Sequence, residues 1–351
     1  MLPALGDDSS SRMVAMARLS FATPLPQSPR SEVLEWRFPK PYHGYVLTGK
    51  SRAAWHTSFL VPQLNLLLDA GLCVNKLRPK HIFLTHGHSD HTGLSFAFVK
   101  REDPPDIFCP SEMHKVFDDF ILANTMLNLG GLVETSGGGV TAEEAEDPLA
   151  SDPADGSRPA ATTGDARNGW LNTHVTHGLQ PGDTVPLRRV KNIHATAFAC
   201  DHTVPCLGYV FSTTAIKLKP EYAGKSGSEL HALKKAGVEI TGPPATKNIF
   251  AFLGDTTAET LAAEPQWLRD GIAVVITECS FLYDEHRDQA IRTKHTLWSD
   301  LERVVRRFSL TTFVLTHFSL RYTGGDIRRF FAEMKDPPGN VVVWIDGVGE
   351  S

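Results

Sequence analysis

Short apolar runs bounded by polar or proline-containing turns recur along the chain, and they carry the fold prediction. Gly44–Thr48, Thr57–Val61 and Asn65–Asp69 read as successive short strands, and His81–Thr85 as another. Thr92–Lys100 looks helical, Asp106–Cys109 is a strand, and a helical stretch follows from Ser111 to about Asn128. Asn192–Phe198, Leu207–Ser212, Asn248–Leu253, Ala273–Thr277, Thr312–Thr316 and Val341–Ile345 carry further strand patterns, with helices between the last few. The clearest helix is Thr296–Phe308, where Leu297, Trp298, Leu301, Val304, Val305 and Phe308 fall on one face. Strands first, then strands alternating with helices, predict a layered α/β architecture.

Two stretches interrupt this pattern. Residues 1–40 read as a flexible N-terminal tail. Within it, residues 9–31 hold Arg12, Arg18 and Arg30, several serines and no acidic residue, a faint likeness to an organellar transit peptide that Asp7 and Asp8 spoil unless Met13 is the start. Residues 131–170 hold eight acidic residues and two arginines, are rich in Gly, Ala, Pro, Ser and Thr, and lack apolar periodicity. Such a segment cannot bury enough surface to offset its ordering entropy, so it is expected to be a disordered acidic insertion in a surface loop. Outside it, residues 41–351 are expected to form a single domain.

Charge and cysteine content narrow the function classes. The net charge is −5 over 351 residues, and the acidic window alone accounts for −6, leaving the remainder near neutral. A broad basic surface for nucleic acid is therefore excluded, though a local basic patch is not. No apolar run reaches the roughly 18 residues of a membrane span. Cys73, Cys109, Cys200, Cys206 and Cys279 are odd in number and scattered, which argues against a disulfide framework and for an intracellular protein, cytoplasmic by default, with mitochondrial or nuclear placement left open.

Two motifs compete for attention. Gly44-Tyr-Val-Leu-Thr-Gly49-Lys50-Ser51 satisfies the phosphate-loop pattern letter for letter. Its intervening residues are strand formers, however, and no amphipathic helix follows, so a strand and turn is expected. His86-x-His88-x-Asp90-His91 is different: four imidazole or carboxylate groups lie within six residues, directly after an apolar strand. His86 and His88 can point one way while Asp90 and His91 reach another, which suits two zinc ions close together. More ligands are needed, and Asp201-His202, Gly254-Asp255 and His317 each follow an apolar strand. Strand ends on one side of a sheet converge on ligand sites in α/β folds.

These residues resemble the metallo-β-lactamase-fold hydrolases, and within them the ribonuclease Z branch of tRNA 3′-processing endonucleases. Beyond the histidine motif, the likeness rests on Asp201-His202-Thr-Val-Pro205-Cys206-Leu-Gly208-Tyr209, Leu253-Gly254-Asp255-Thr256, and Leu315-Thr316-His317-Phe318-Ser319-Leu-Arg321-Tyr322. Glu278-Cys-Ser-Phe281 followed by Lys294-His295-Thr296 resembles that branch in order and placement. The resemblance implies a four-layer αββα sandwich and two Zn(II) ions, one bound by His86, His88 and His202, the other by Asp90, His91 and His317, with Asp255 shared. It implies that Asp90 also orients or deprotonates the attacking water, that His295 protonates the leaving 3′ oxygen and that Glu278 orients His295. Arg321 and Tyr322 are candidate phosphate contacts, with a structural salt bridge and a core tyrosine as the equal alternative.

The chain departs from the branch in Leu47–Thr57, which lacks its Gly-Thr-Gly turn and Pro-rich loop, and in Lys217–Lys247, where the branch carries a tRNA-gripping arm. The latter segment has six lysines against three acidic residues but is short for such an arm. The implied activity is endonucleolytic removal of 3′ trailers from tRNA precursors, by a protein expected to pair as a homodimer. A small-molecule phosphodiesterase on the same metal centre is the alternative, and a non-catalytic scaffold is less favoured because every metal position is filled. His174 and His177, with no carboxylate or cysteine in register, are not expected to be ligands. Among the remaining histidines His56 stands out, because its loop corresponds to a substrate-approaching region.

Overall fold

Strands whose side chains are apolar on both sides must be covered on both sides, and that requirement organises this chain. The computed structural model describes residues 21–29, 31–128 and 171–345. One sheet contains β1 (Leu25–Pro26), β2 (Leu34–Arg37), β3 (Val46–Arg52), β4 (His56–Val61), β5 (Leu66–Leu68), β6 (His81–Phe83), β7 (Asp106–Pro110) and β8 (Val175–Leu179), in chain order. Pairing is antiparallel as far as β5 and parallel from there to β8. The second sheet runs β15 (Val341–Val343), β14 (Thr312–Thr316), β13 (Ile272–Glu278), β12 (Ala245–Phe252), β11 (Leu207–Ala215), β10 (Ile193–Ala199) and β9 (Thr184–Pro186). It is antiparallel from β9 to β12 and parallel from β12 to β15.

The period-two alternation of each strand sorts its side chains between two cores. Phe59, Val61, Leu66, Leu68, Phe83 and Phe108 from the first sheet meet Phe211, Phe250, Phe252, Val274, Ile276 and Val314 from the second in a central layer. The intervening residues face outward: Leu60, Leu67, Ile82 and Ile107 pack with Phe117 and Ile121 of a helix on the first sheet's outer face. Ala251, Val275, Phe313 and Leu315 pack with Trp298, Leu301, Val305, Ile327 and Phe331 on the outer face of the second. Helix, sheet, sheet, helix is the αββα order. The helices are α1 (Ser89–Thr92), α2 (His114–Asn128), α3 (Gly227–Lys235), α4 (Glu259–Ala262), α5 (Gln266–Arg269), α6 (Arg287–Thr293), α7 (Trp298–Arg307) and α8 (Gly324–Ala332).

Several expectations are corrected. Residues 21–40, assigned to the tail, contain β1 and β2; Leu34 is buried, and Phe21 packs on Phe331 while Ala22 bridges to Val342. The alternation Leu34-Glu35-Trp36-Arg37 supplies a strand that pairs with β3 on one side and the two-residue β1 on the other. Thr92–Lys100 is not one helix: α1 ends at Thr92, Gly93 follows, and a separate 3-10 turn covers Ser95–Phe98. The phosphate-loop match lies in strand, with Gly49, Lys50 and Ser51 inside β3. The acidic stretch 131–170 lies outside the described residues. Between β11 and β12 the chain projects as a 3-10 turn and α3, capped by a reciprocal Ser226–Glu229 box, and α3 buries no residue.

Candidate functional site

Loops leaving the C-terminal ends of β6, β10, β12, β13 and β14 meet at one edge of the sandwich, so the candidate residues come from both sheets. After β6, His88 has extended backbone and sits at the N-terminus of α1; its carbonyl accepts from the His91 and Thr92 amides. His86 and His88 thus precede the helix, while Asp90 and His91 ride its first turn. Gly254 lies where the two sheets touch: a Cβ there would come within 2.4 Å of Thr85. Only glycine lets the loop carrying Asp255 come this close to the loop carrying His86.

Two groups of ligand-capable atoms result. In the first, His86 Nε2 lies 3.0 Å from His88 Nδ1, and His202 Nε2 lies 3.3 Å from the same atom. Asp255 Oδ2 is 3.7 Å from His86 Nε2 and 3.9 Å from His202 Nε2. In the second, His91 Nε2 and His317 Nε2 are 3.3 Å apart, and Asp90 Oδ2 is 3.4 Å from His317 Nε2 and 3.6 Å from His91 Nε2. Asp255 Oδ1 lies 3.3 Å from each of those two nitrogens. The structure therefore brings together all seven residues proposed as ligands, with Asp255 offering one oxygen to each group.

Outer partners fix which nitrogen of each imidazole faces inward. His86 Nδ1 meets Thr85 Oγ1 at 3.0 Å, His91 Nδ1 donates to Asp69 Oδ2 at 2.7 Å, His202 Nδ1 donates to the Lys294 carbonyl at 3.0 Å, and His317 Nδ1 meets Ser280 Oγ at 3.1 Å. With the proton held outward, lone pairs crowd inward at near-contact distances, an arrangement that a cation relieves. Asp255 Oδ1 is buried without a hydrogen-bond partner. Four carboxylates, Asp69, Asp90, Asp255 and Glu278, converge on these imidazoles. Borderline nitrogen and hard oxygen donors with an orphaned buried carboxylate oxygen fit divalent metal ions of the zinc type. Among the described residues no cysteine joins either group; Cys200, Cys206 and Cys279 are buried free thiols, as expected.

Electrostatics follow from burial and neighbours. Burial pushes the His86 and His202 imidazoles down from their ordinary range. Burial also opposes a charged His295, but Glu278 Oε1 at 2.8 Å and Asp255 outweigh it and hold its pKa up at about 9. Glu278 is itself fully occupied, accepting from the Thr256 amide (2.7 Å), Ser280 Oγ (2.6 Å) and the Thr296 amide (3.1 Å). An imidazolium aimed at the metal groups by a fixed carboxylate is a general-acid geometry. His295 Nδ1 is 3.9 Å from Asp255 Oδ2.

The sequence reading missed Asp69. It is fully buried, accepts from the Thr85 amide at 2.8 Å as well as from His91, and ends the strand run Leu66-Leu67-Leu68 just as the other site residues end theirs. Asp69, Lys294 and His317 all have left-handed backbone, with φ of 56°, 51° and 59°. Non-glycine residues in that region cluster where a site has been shaped against local preference. Tyr322 is buried; its hydroxyl accepts from the Leu282 amide and meets His286 Nδ1, the contacts of a core tyrosine. Arg321 lies over the Phe281 ring and donates to Gln289. His174 and His177 lie apart from the metal groups, but each faces a carboxylate distant in sequence, Asp118 at 3.2 Å and Asp106 at 3.1 Å. A cleft of about 410 Å³ opens beside His202, walled by Pro110, Pro181 and Val204.

With this geometry in place, comparison with known proteins is informative. The metallo-beta-lactamase superfamily model matches residues 69–204, a span opening on Asp69 and holding His86, His88, Asp90, His91 and His202. Residues 69–204 thus match the metallo-β-lactamase superfamily domain. Curated relatives include the chloroplastic tRNase Z TRZ2 of Arabidopsis thaliana, 28% identical over 291 residues that cover 81% of this chain and 70% of that one. The tRNase Z TRZ1 of the same plant is 26% identical over 301 residues, covering 84% and 92%. Solved structures similar to it include the metallo-beta-lactamase fold protein YhfI of Bacillus subtilis (TM-score 0.48, 13% identity, 85% of this chain and 95% of that one). The short form of human tRNase Z is another (TM-score 0.42, 17% identity, 89% and 93%).

Proposed function

We propose that this protein is a metal-dependent phosphodiesterase that cleaves RNA, with 3′-extended tRNA precursors as substrate. The observation that carries the chemistry is the pair of ligand groups joined by Asp255, with the His295–Glu278 pair directed at them. Two zinc ions held by His86, His88, His202 and Asp255, and by Asp90, His91, His317 and Asp255, would supply Lewis acidity toward a phosphoryl oxygen and a nucleophile at neutral pH. Asp90 accepts the proton of the attacking water, and His295 donates one to the departing 3′ oxygen. Glu278 keeps His295 protonated and in line. Hydrolysis then leaves a 3′-hydroxyl on one fragment and a 5′-phosphate on the other.

RNA is favoured as substrate by the two plant relatives, which are named tRNase Z and align over most of the chain. The exposed projection between β11 and β12 carries Lys217, Lys219, Lys225, Lys234 and Lys235 against three acidic residues, with Lys247 at the start of β12, a composition suited to phosphate contacts that weaken with salt. No helix among the described residues is long and apolar enough to cross a membrane. The test is incubation of zinc-loaded protein with a 3′-extended tRNA precursor, beside the Asp90→Ala variant. One metal-dependent cut at the end of the acceptor stem, absent in the variant, is the expected result. Hydrolysis of a small phosphodiester with no cut in RNA would move the assignment to a small-molecule enzyme.

A further inference from the structure

The hairpin turn joining β3 and β4 has no part in the metal groups, yet it is bound to them at both ends. At its base, Ser51 Oγ accepts from the His317 amide at 3.1 Å and meets Thr57 Oγ1 at 2.9 Å. Thr57 lines the same small cavity as His91, Asp255 and His317. The turn is clamped to the loop after His317: the Ala53 amide and Arg52 Nε both donate to the Phe318 carbonyl, and Arg52 Nη2 donates to the carbonyls of Ser319 and Tyr322. Its tip is therefore a rigid lip on the metal site.

At that tip the chain places an indole in solvent. Trp55 is 59% exposed, although a tryptophan ordinarily contributes its large area to a core. Only His56 separates it from Thr57, so its Cα lies within about 8 Å of the Cα of a residue lining the metal cavity. Its ring is steadied from within, by His56 at a centroid distance of 4.6 Å and by the Lys50 ammonium at 5.1 Å. His56 is buried, with its Nε2 unpartnered, and burial drives its pKa down to about 4. The imidazole is thus a neutral, fixed support for the indole. Ala54 enters the left-handed region at φ 58°, which turns the tip outward.

We propose that Trp55 is a stacking platform for an unpaired nucleobase adjoining the scissile phosphate, and so a specificity-determining residue of this site. This rests on the RNA-cleaving function proposed above. A rigid exposed indole beside a cation is the chemistry that binds a base without reading its sequence, because every base has a π-face. Small phosphodiesters without a base have nothing to place there.

The experiment compares wild-type, Trp55→Ala and Trp55→Phe proteins on a 3′-extended tRNA precursor and on versions with an abasic nucleotide at each position flanking the cut. Base stacking of ordinary strength predicts a rise in KM of about tenfold or more for Trp55→Ala, with kcat changed far less and most of the loss restored by Trp55→Phe. At one abasic position the ratio of Trp55→Ala to wild type should return to one. The fraction of intrinsic fluorescence quenched by RNA should also disappear in Trp55→Ala. Equal KM values for wild type and Trp55→Ala on the intact precursor would overturn the inference. A loss that persists on every abasic substrate would overturn it too, since the effect would then be structural. Wild-type protein that hydrolyses a small diester and no RNA would instead sink the underlying function, and this inference with it.

Discussion

Asp69→Asn is the sharpest perturbation available, because it changes one proton acceptor and almost no volume. As a carboxylate, Asp69 accepts from four directions: the Thr85 amide and hydroxyl at Oδ1, and the Thr85 hydroxyl and His91 Nδ1 at Oδ2. An asparagine must keep its oxygen toward the Thr85 amide, which leaves its NH₂ facing His91 Nδ1. That nitrogen must then accept, and the imidazole proton moves to Nε2, the atom directed at His317 and Asp255. One ligand of the second metal position is lost by tautomer alone. Outer partners of metal-binding histidines are worth about 10–100-fold in affinity, or about 1.4–2.7 kcal/mol. The assay is displacement of zinc by a chromogenic chelator, resolving the two sites, with urea unfolding of metal-free protein as the control. We expect one site weakened by that factor and the other unchanged, with metal-free stability altered by less than about 2 kcal/mol. Wild-type affinity at both sites would refute the tautomer argument.

Four further outcomes follow from the geometry. His295 is protonated below about pH 9 and loses its proton as pH rises through that value, so kcat/KM on RNA should fall on the alkaline side. Glu278→Gln removes the charge that holds this pKa up while burial remains, so the alkaline limb should move down by at least about one unit; an unmoved limb would remove Glu278 from this role. His295→Ala should lower turnover of RNA by about 10²–10⁴-fold but spare a diester with a nitrophenolate leaving group, and equal losses would contradict proton donation. Gly254→Ala forces a Cβ into Thr85, and the overpacking should lower the urea midpoint by the equivalent of about 1–3 kcal/mol; an unshifted midpoint would show that the two loops can part.

Legibility in the sequence depended on whether a feature was local. His86, His88, Asp90 and His91 sit in one turn, and their register alone announced a metal site. His202, Asp255 and His317 were reachable because each follows an apolar run, a pattern that only a shared sheet edge makes meaningful. Asp69 follows such a run too, but a lone aspartate after Leu66-Leu67-Leu68 carries no chemistry until His91 is placed against it. His174 and His177 looked unpartnered because Asp118 and Asp106 come from elements about 56 and 71 residues away. The strands the reading missed, β1, β2, β8 and β9, are sheet-edge or short segments with much polar surface, where period-two signals are weakest. Tyr322 was ambiguous for the opposite reason: it lies in the ligand block, which suits a phosphate contact and a core tyrosine alike, and its neighbours turn it inward.

One feature of the site bears on how the protein is made. His91 and His317, whose inward nitrogens nearly touch, are 226 residues apart in the chain. During synthesis at about 5–20 residues per second, His317 leaves the ribosome about 10–45 s after His91. His202 and Asp255 follow His91 by 111 and 164 residues, so for about the first half of that interval the early histidines exist without any of the three later donors. The full donor set is therefore assembled only when the second sheet docks and brings His202, Asp255 and His317 against the histidines of the first.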